Sequence, residues 1–335
     1  MIITRTPYRL SLFGGGCDFS EWFKTNPSTL IVASMNHHCY VTVSRKPNFF
    51  PEYISRVAYG QIEHVKDNGD IIHPSVRECL RFFNFESGID IHHAGDLPSR
   101  SGIGSSSSFT VGLVRAIHGL KNSRISKRQL AEEAIFIEQQ MIKEAVGFQD
   151  QISASYGGLN VIKLGPGSKM RVSKLDISFS YKEYLRRSVL LGFTGLSRDG
   201  TNIMKKHITN ISDGKSEALL NDVSKISQRA LELFKLEEDI DKLGNLLNDS
   251  WAIKRNFTPM VSTQTFNQIY EVAVKNGALG GKLMGAGGGG FFYFLAPPQK
   301  HAKIKAALHQ VKIWVPFNFS NNGSMLLNRT SIGEI

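Results

Sequence analysis

A segment rich in glycine and serine, followed at once by an apolar stretch, is the feature that most constrains how this chain folds. It reads Pro98-Ser-Arg-Ser-Gly-Ile-Gly-Ser-Ser-Ser-Ser108. Apolar residues then recur at the spacing of a helix, at Phe109, Leu113, Ile117 and Leu120. The pattern predicts a glycine-containing loop that leads directly into a buried helix.

The residue types of this loop suit the binding of phosphate groups. Gly102 and Gly104 permit positive φ angles and a close approach of the backbone. Residues 105–108 are four serines in the predicted first turn, where backbone N–H groups have no partner within the helix. This arrangement favours the binding of a polyphosphate, through the free N–H groups, the positive end of the helix and the hydroxyls. A serine at the helix start can also ligate Mg²⁺. The alternative is a serine-capped helix after a flexible loop. A Walker A loop is excluded because no Gly-Lys-Ser/Thr follows.

Two further glycine-rich segments lie far from this loop in the sequence. Pro7-Tyr-Arg-Leu-Ser-Leu-Phe-Gly-Gly-Gly-Cys-Asp18 predicts a strand that ends in glycines beside a carboxylate, which suits polyol recognition or forms a hairpin turn. Gly285-Ala-Gly-Gly-Gly-Gly290 matches G-x-G-x-x-G, but the apolar run after it predicts a strand where a dinucleotide-binding loop requires a helix. The glycines of this last loop therefore either let its backbone lie close to a binding site or simply form a tight turn.

Two acids accompany a predicted helix that begins after Ser126 and runs to about Ala145. Glu138 lies on this helix, and Asp150 follows it in a short loop. The two carboxylates are compatible with a metal ligand and a general base. They are equally compatible with a surface charge and a turn-forming residue.

Composition indicates a soluble, two-domain protein of the mixed α+β class. The 335 residues are 41% hydrophobic and 21% charged, and the three cysteines are too few and too scattered for a disulfide framework or a zinc site. Strand patterns dominate the first third, helical patterns dominate residues 215–275, and Gly165-Pro-Gly-Ser-Lys169 is the best linker candidate. No apolar run is long enough for a membrane span and no export signal is recognised, so we expect a cytoplasmic location.

The formal net charge of +11 has two interpretations. A basic protein can bind nucleic acid, or it can bind a small anionic substrate. Lys and Arg are spread along the whole chain, without a block of five like charges. We therefore expect a small anionic substrate, with no nucleic-acid partner and no membrane partner.

Together, the three glycine-rich segments resemble the three motifs of the GHMP kinases in order and spacing. They comprise residues 5–18, 98–108 and 282–290. The resemblance implies ATP-dependent phosphoryl transfer to an alcohol with Mg²⁺ as cofactor, by a monomer or a homodimer. It also implies an α+β fold with an N-terminal domain over residues 1–185, like the second domain of ribosomal protein S5. A ferredoxin-like C-terminal domain would cover residues 186–335.

The resemblance also implies roles for individual residues. Asp150 matches the catalytic base, and Arg9 matches the basic residue paired with it. Glu138 matches the Mg²⁺-binding acid, with Ser106 chosen as the serine ligand. The ATP phosphates would lie against Ser101, Gly102, Ile103, Gly104, Ser105, Ser106 and Ser107. Sugar hydroxyls would contact Gly15, Gly16, Asp18, Gly287 and Gly288.

Within the superfamily, the Gly-Gly-Gly-Cys-Asp18 segment is similar to bacterial sugar-1-kinases of D-glycero-D-manno-heptose 7-phosphate. This implies phosphorylation of the anomeric hydroxyl to give the 1,7-bisphosphate. Because Thr194-Gly-Leu-Ser-Arg-Asp-Gly200 precedes a basic segment, we expect Arg198, with Lys205 or Lys206, to bind the 7-phosphate. The alternatives are a kinase of an unphosphorylated sugar, of the fucokinase or galactokinase type, and a non-catalytic binding protein. Phe148 departs from the pattern, because close relatives more often carry Lys there. Charge stabilisation is then left to the arginine of the first motif and to Mg²⁺.

Overall fold

Two β-sheets flanked by helices make up the structure, a computed structural model that describes residues 1–46, 52–196 and 200–329. The strands are β1 (Ile2–Phe13), β2 (Ser28–Arg45), β3 (Ser55–Ala58), β4 (Ile62–Val65), β5 (Ile89–Gly95), β6 (Leu159–Gly165), β7 (Lys169–Lys174), β8 (Val189–Phe193), β9 (Gly280–Leu283), β10 (Phe291–Leu295), β11 (Ile313–Val315) and β12 (Met325–Arg329). The helices are α1 (Ser20–Phe23), α2 (Pro74–Phe82), α3 (Ser105–Leu120), α4 (Lys127–Phe136), α5 (Gln149–Tyr156), α6 (Phe179–Ser188), α7 (Thr201–Ser212), α8 (Glu217–Lys235), α9 (Ile240–Arg255), α10 (Gln264–Lys275) and α11 (His301–Ala307).

The larger sheet is organised around the long strand β2. Its strand order is β12-β1-β2-β5-β3-β4, and β6, paired with β7, also pairs with β2. One edge of β2 pairs with β1 along most of its length, while its other edge pairs first with β6 and then with β5. The sequence predicts two strands here, at residues 31–35 and 38–45. They form one continuous strand, although the pairing with β1 shifts register between Ser34 and His38.

Helix α3 packs on β1 and β2 as the apolar spacing after the serine cluster predicts. Val111, Leu113 and Ile117 are buried in the main core. Gly112 brings the helix close to the sheet, because a Cβ there would lie 2.9 Å from the Thr6 hydroxyl oxygen. The start of α3 is thereby fixed next to the strand that carries the first glycine-rich motif.

The predicted helix from Ser126 to Ala145 is shorter than expected and changes its winding. Ser126 caps α4 by accepting a hydrogen bond from the Gln129 amide at 3.1 Å. The α-helix ends at Phe136, and a π-helix continues over Ile137–Ile142. Such wide turns are common at functional sites, and Glu138 lies in this one.

The smaller sheet has the antiparallel order β11-β8-β10-β9. Along the chain its parts follow as strand, helices, strand, strand, helix and strand. This is the order of a ferredoxin-like unit, as predicted for the C-terminal domain. The loop at residues 285–290 joins β9 to β10 and therefore lies at one end of this sheet.

The chain between the two sheets differs from the expected domain organisation. Gly165-Pro-Gly-Ser-Lys169 is no linker, because it is the tight connection of the antiparallel pair β6–β7. The expected boundary between residues 185 and 186 falls inside α6. Strand β12 pairs with β1, so the last described strand belongs to the larger sheet and not to the C-terminal domain.

None of the helices described is long and apolar enough to cross a lipid bilayer.

Candidate active site

The centre of the site is an ion pair between Arg9 on β1 and Asp150 in the first turn of α5. Nε of Arg9 lies 2.6 Å from Oδ1 of Asp150, and Nη2 lies 2.8 Å from Oδ2. The third nitrogen, Nη1, donates to the carbonyl oxygen of Gly102 at 2.5 Å. The arginine side chain is 6% exposed and the aspartate side chain 21% exposed. The paired hydrogen bonds fix the orientation of a carboxylate that solvent, or a substrate, can still reach.

The loop before α3 lies directly against this pair. The backbone amide of Arg9 donates to the Ile103 carbonyl oxygen at 3.1 Å, which joins the loop to β1. Gly104 has a φ of +71°, and a Cβ there would lie 3.1 Å from Oδ2 of Asp150 and 3.2 Å from Cγ of Arg9. Glycine is therefore required at this position for both its φ angle and the space it leaves.

Amides at the start of α3 have no acceptor within the helix. The first helical hydrogen bond runs from the Ser108 amide to the Gly104 carbonyl oxygen at 2.9 Å, which leaves the amides of residues 105–107 without one. Ser101 has a different role, because its carbonyl oxygen accepts a hydrogen bond from the Phe291 amide at 3.1 Å. The loop thus presents its amide groups beyond Gly104 and uses Ser101 to contact the smaller sheet.

The Glu138 carboxylate contacts the serine cluster of residues 105–108 through Ser107. The Ser107 hydroxyl donates to Oε2 of Glu138 at 2.9 Å, and the Gln151 side-chain amide donates to the same oxygen. Ser106 is exposed. Ser107 is therefore the serine whose side chain faces Glu138, because successive side chains on a helix point about 100° apart. The choice of Ser106 as the Mg²⁺ ligand stays a prediction.

The Glu138 carboxyl is completely buried, and one of its oxygens lacks a partner. Oε1 forms no hydrogen bond with any described residue. Burial raises the pKa of Glu138 to about 8, with a further contribution from the charge of Glu144. No group of three or more His, Cys, Asp or Glu side chains in the described ranges could hold a metal ion. A cation here would therefore need oxygen ligands from elsewhere as well.

Asp18, the expected sugar-contact residue, lies next to the ion pair. It is 2% exposed, and its carboxylate accepts hydrogen bonds from the amides of Gly16 at 3.1 Å and Gln149 at 3.2 Å. Burial raises the pKa of Asp18 to about 6, and the negative charge of Asp150 adds to the rise. The structure thus brings together the first glycine motif and the start of α5, which are about 130 residues apart in the sequence.

Two polar side chains around Gly15 were not predicted from the sequence. A Cβ on Gly15 would lie 3.0 Å from the Ser11 hydroxyl oxygen and 3.6 Å from the Gln149 amide nitrogen. Oγ of Ser11 and Oε1 of Gln149 are both buried without a hydrogen-bond partner among the described residues. Buried polar atoms usually have partners, so these two are candidates for contact with a ligand. Ser11 could have been found from its place on the same strand face as Arg9.

The third glycine-rich loop approaches the site with its backbone. A Cβ on Gly285 would lie 2.5 Å from Cα of Gly102, and one on Gly290 would lie 2.1 Å from the Ser101 carbonyl oxygen. Of the two alternatives for this loop, the structure supports the close approach. Gly287 and Gly288 contact Val261, which accepts a hydrogen bond from the Gly288 amide at 2.9 Å. That amide is therefore already paired, and sugar binding by these two glycines stays a prediction.

The binding of a substrate phosphate by Arg198, Lys205 and Lys206 stays a prediction. Lys205 and Lys206 are exposed on α7, whereas the buried face of that helix carries His207. His207 stacks on Phe257 with 4.5 Å between ring centroids and lies beside Gly16. Arg198 lies outside the described residues.

The comparisons with known proteins agree with this geometry. The model of the GHMP kinases N terminal domain matches residues 71–158, and the model described as GHMP kinases C terminal matches residues 230–313. Together they cover just over half of the chain. The chain belongs to the GHMP kinases. The predicted two-domain GHMP kinase fold and the prediction of a kinase are thereby confirmed.

Several members of this family resemble the chain over most of its length. A D-glycero-alpha-D-manno-heptose 7-phosphate kinase of Campylobacter jejuni is 28% identical over 333 residues, which cover 96% of this chain and 97% of the relative. A mevalonate kinase of Pyrococcus horikoshii is 28% identical, with coverage of 63% and 60%. The crystal structure of a D-glycero-D-manno-heptose 1-phosphate kinase from Bacteroides thetaiotaomicron superimposes with a TM-score of 0.79 at 19% identity, covering 99% of this chain and 100% of that one. This last likeness shows a common fold.

Proposed function

We propose that this GHMP kinase transfers the γ-phosphoryl group of ATP to the anomeric hydroxyl of D-glycero-D-manno-heptose 7-phosphate, giving the 1,7-bisphosphate. The observation that carries the chemistry is the Arg9–Asp150 ion pair beside the loop of Gly104. The choice of acceptor is supported by the Campylobacter jejuni relative, which matches the chain from end to end. Phosphoryl transfer depends on positioning and charge stabilisation, which these residues can supply.

Asp150 acts in this proposal as the general base. Its carboxylate is held by both nitrogens of the Arg9 fork and stays partly exposed. It therefore accepts the proton of the acceptor hydroxyl as that oxygen attacks phosphorus. Arg9 stabilises the ionised carboxylate and the negative charge that moves onto the attacking oxygen.

Mg²⁺ and the phosphates of ATP are assigned to the start of α3. Ser107 and Glu138 fit Mg²⁺, because a hydroxyl and a carboxylate are oxygen ligands and Oε1 of Glu138 is buried without a partner. In proteins this cation typically uses one or two carboxylates together with substrate phosphates. When bound, it would neutralise the charge of the transferred group. Gly102, Gly104 and the amides of residues 105–107 would hold the phosphates.

The acceptor sugar is assigned to the pocket of Asp18, Gly15 and Gly16. Asp18 supplies a hydrogen-bond acceptor, and the unpartnered atoms of Ser11 and Gln149 supply further groups for hydroxyls. Phe148, which replaces the more common Lys, packs edge-on against Phe23 with ring centroids 4.8 Å apart. Its backbone amide donates to the Asp18 carbonyl oxygen at 3.0 Å, so this position supports the sugar pocket through its backbone.

One observation favours a second candidate, a kinase of an unphosphorylated sugar. Lys205 and Lys206 are exposed on α7, and within the described residues neither side chain forms a hydrogen bond or an ion pair with the residues assigned to the sugar. A relative of this type is the bifunctional fucokinase/GDP-fucose pyrophosphorylase of Arabidopsis thaliana, which is 26% identical over 65% of this chain.

An ADP-release assay with four acceptors separates the two candidates. The acceptors are heptose 7-phosphate, the same heptose without phosphate, L-fucose and D-galactose. We expect the highest kcat/KM for heptose 7-phosphate, and a higher value for any free sugar would overturn the choice of acceptor. Asp150→Asn should lower kcat by about 10²–10⁴-fold with a nearly unchanged Kd for ATP. Turnover close to wild type would exclude Asp150 as the base.

A further inference from the structure

Two lysines outside the assigned roles lie behind the Arg9–Asp150 pair. Nζ of Lys254, in the last turn of α9, donates to the carbonyl oxygens of Leu283 at 2.7 Å and Gly285 at 2.6 Å. Nζ of Lys282, on β9, donates to the Leu12 carbonyl oxygen at 2.9 Å. Within the described residues, neither lysine forms an ion pair with a carboxylate. The hydrogen bonds of both amino groups thus go to backbone carbonyls, and Nζ of Lys282 also lies over the Tyr293 ring, 5.9 Å from its centroid.

The contacts of Lys254 lead to Arg9 through two glycines. Lys254 holds the carbonyl of Gly285, whose Cα lies directly against Gly102. Gly102 in turn offers its carbonyl oxygen to Nη1 of Arg9. A shift of the third glycine-rich loop would therefore move the carbonyl that orients the arginine.

Lys282 is connected to Arg9 through the backbone of β1. Its amino group and the hydroxyl of Tyr293 both donate to the Leu12 carbonyl oxygen, at 2.9 Å and 3.0 Å. Leu12 lies three residues beyond Arg9 on the same strand. The two lysines thus bind the loop and the strand that together position Arg9.

Burial and positive charge surround both lysines. Burial lowers the pKa of Lys282 to about 7, and the positive charge of Arg9 adds to the effect. Burial also lowers the pKa of Lys254 well below its usual value, with contributions from Lys282 and Arg9. Their hydrogen bonds to backbone carbonyls are therefore the contacts that hold both amino groups in place.

We propose that Lys254 and Lys282 are positioning residues for phosphoryl transfer. They hold the third glycine-rich loop and β1 in the arrangement that orients Arg9. The inference rests on the proposed kinase function.

The test compares Lys254→Met, Lys254→Arg and Lys282→Met with the matched control Lys242→Met. Lys242 lies on the same helix as Lys254, exposed and paired with Glu238 at 2.8 Å. We expect Lys254→Met to lower kcat by about 10²-fold, the loss expected from a misplaced catalytic group, with a smaller change in KM for the sugar. Lys254→Arg should recover part of this loss, because it retains the charge and the donors.

Calorimetry of a non-hydrolysable ATP analogue, without an acceptor, measures nucleotide binding. Because Lys254 holds Gly285 against Gly102 of the phosphate-binding loop, we expect a higher Kd for Lys254→Met than for the wild type and Lys242→Met. If Lys254→Met does not fold, the kcat values of Lys254→Arg and Lys282→Met provide the test. Unchanged kcat and unchanged Kd in the folded lysine variants would overturn the inference. The binding result does not depend on the sugar, whereas a wild type that phosphorylates no sugar would contradict only the proposed function.

Discussion

Replacement of Asp18 by Asn should raise the KM for the sugar. It should also change the free energy of unfolding in favour of the variant, relative to the wild type, as the pH rises above 6. The pKa of Asp18 rises from 3.8 to about 6 in the fold because the carboxyl is buried. This difference corresponds to about 3 kcal/mol of free energy of unfolding. Since the pKa is higher in the folded chain, the favourable contribution of the protonated carboxyl is complete below pH 4. It is lost as the pH rises through 6.

Asn does not titrate, so the variant lacks this loss. It does leave one of the two amides, of Gly16 or Gln149, without its acceptor, at about 1–3 kcal/mol and at every pH. The difference in free energy of unfolding between variant and wild type should therefore move in favour of the variant by about 2 kcal/mol from pH 4.5 to pH 7.5, since part of the total of about 3 kcal/mol is already lost at pH 4.5.

Urea unfolding followed by circular dichroism across this pH range measures the difference. Asp222→Asn is the matched control, because Asp222 is an exposed residue paired with Lys225; its curve should stay parallel to that of the wild type. Parallel curves for Asp18→Asn and wild type would refute the reasoning about the buried carboxyl. The same variant should show a raised KM for the sugar, measured by ADP release.

Two further pairs of substitutions test the geometry of the nucleotide site. Ser107→Ala should raise the Mg²⁺ concentration for half-maximal activity by about 10-fold or more, while Ser106→Ala, at an exposed position, should not; the reverse order in Mg²⁺ titrations would restore Ser106 as the ligand. Gly104→Ala and Gly167→Ala share a φ of +71°, but only the former places a Cβ 3.1 Å from Asp150, while the latter faces open space. Both should lose about 1 kcal/mol of stability in thermal unfolding, and only Gly104→Ala should lose kcat; equal kcat values would contradict the close approach.

The sequence was most informative where chemistry depends on glycine. The three motifs could be found because positive φ angles and close backbone contacts tolerate few other residues, as at Gly102 and Gly104. The pairing of Arg9 with Asp150 came from the resemblance, since no spacing rule brings together residues 141 positions apart. That Ser107 is the serine facing Glu138 could not be predicted for a similar reason, because four successive serines carry no sign of which one points inward.

Tertiary pairing explains the structural features that the sequence did not show. The return of β12 to β1 depends on an edge of the larger sheet that only the folded chain presents. The π-helix at Glu138 is not visible in apolar spacing, because its extra residue per turn alters only one turn. Lys254 and Lys282 are ordinary lysines in sequence, and their importance appears only when their carbonyl partners are known.

Phosphorus NMR of the products formed from heptose 7-phosphate and Mg-ATP is the most direct test of the proposed reaction. We expect one new phosphate resonance coupled to the anomeric proton, an unchanged 7-phosphate signal, and an equal amount of ADP. The Asp150→Asn variant should give no such resonance over the same time. A product phosphorylated elsewhere, or the same product formed as fast by Asp150→Asn, would contradict the proposal that the Arg9–Asp150 pair drives phosphorylation at C1.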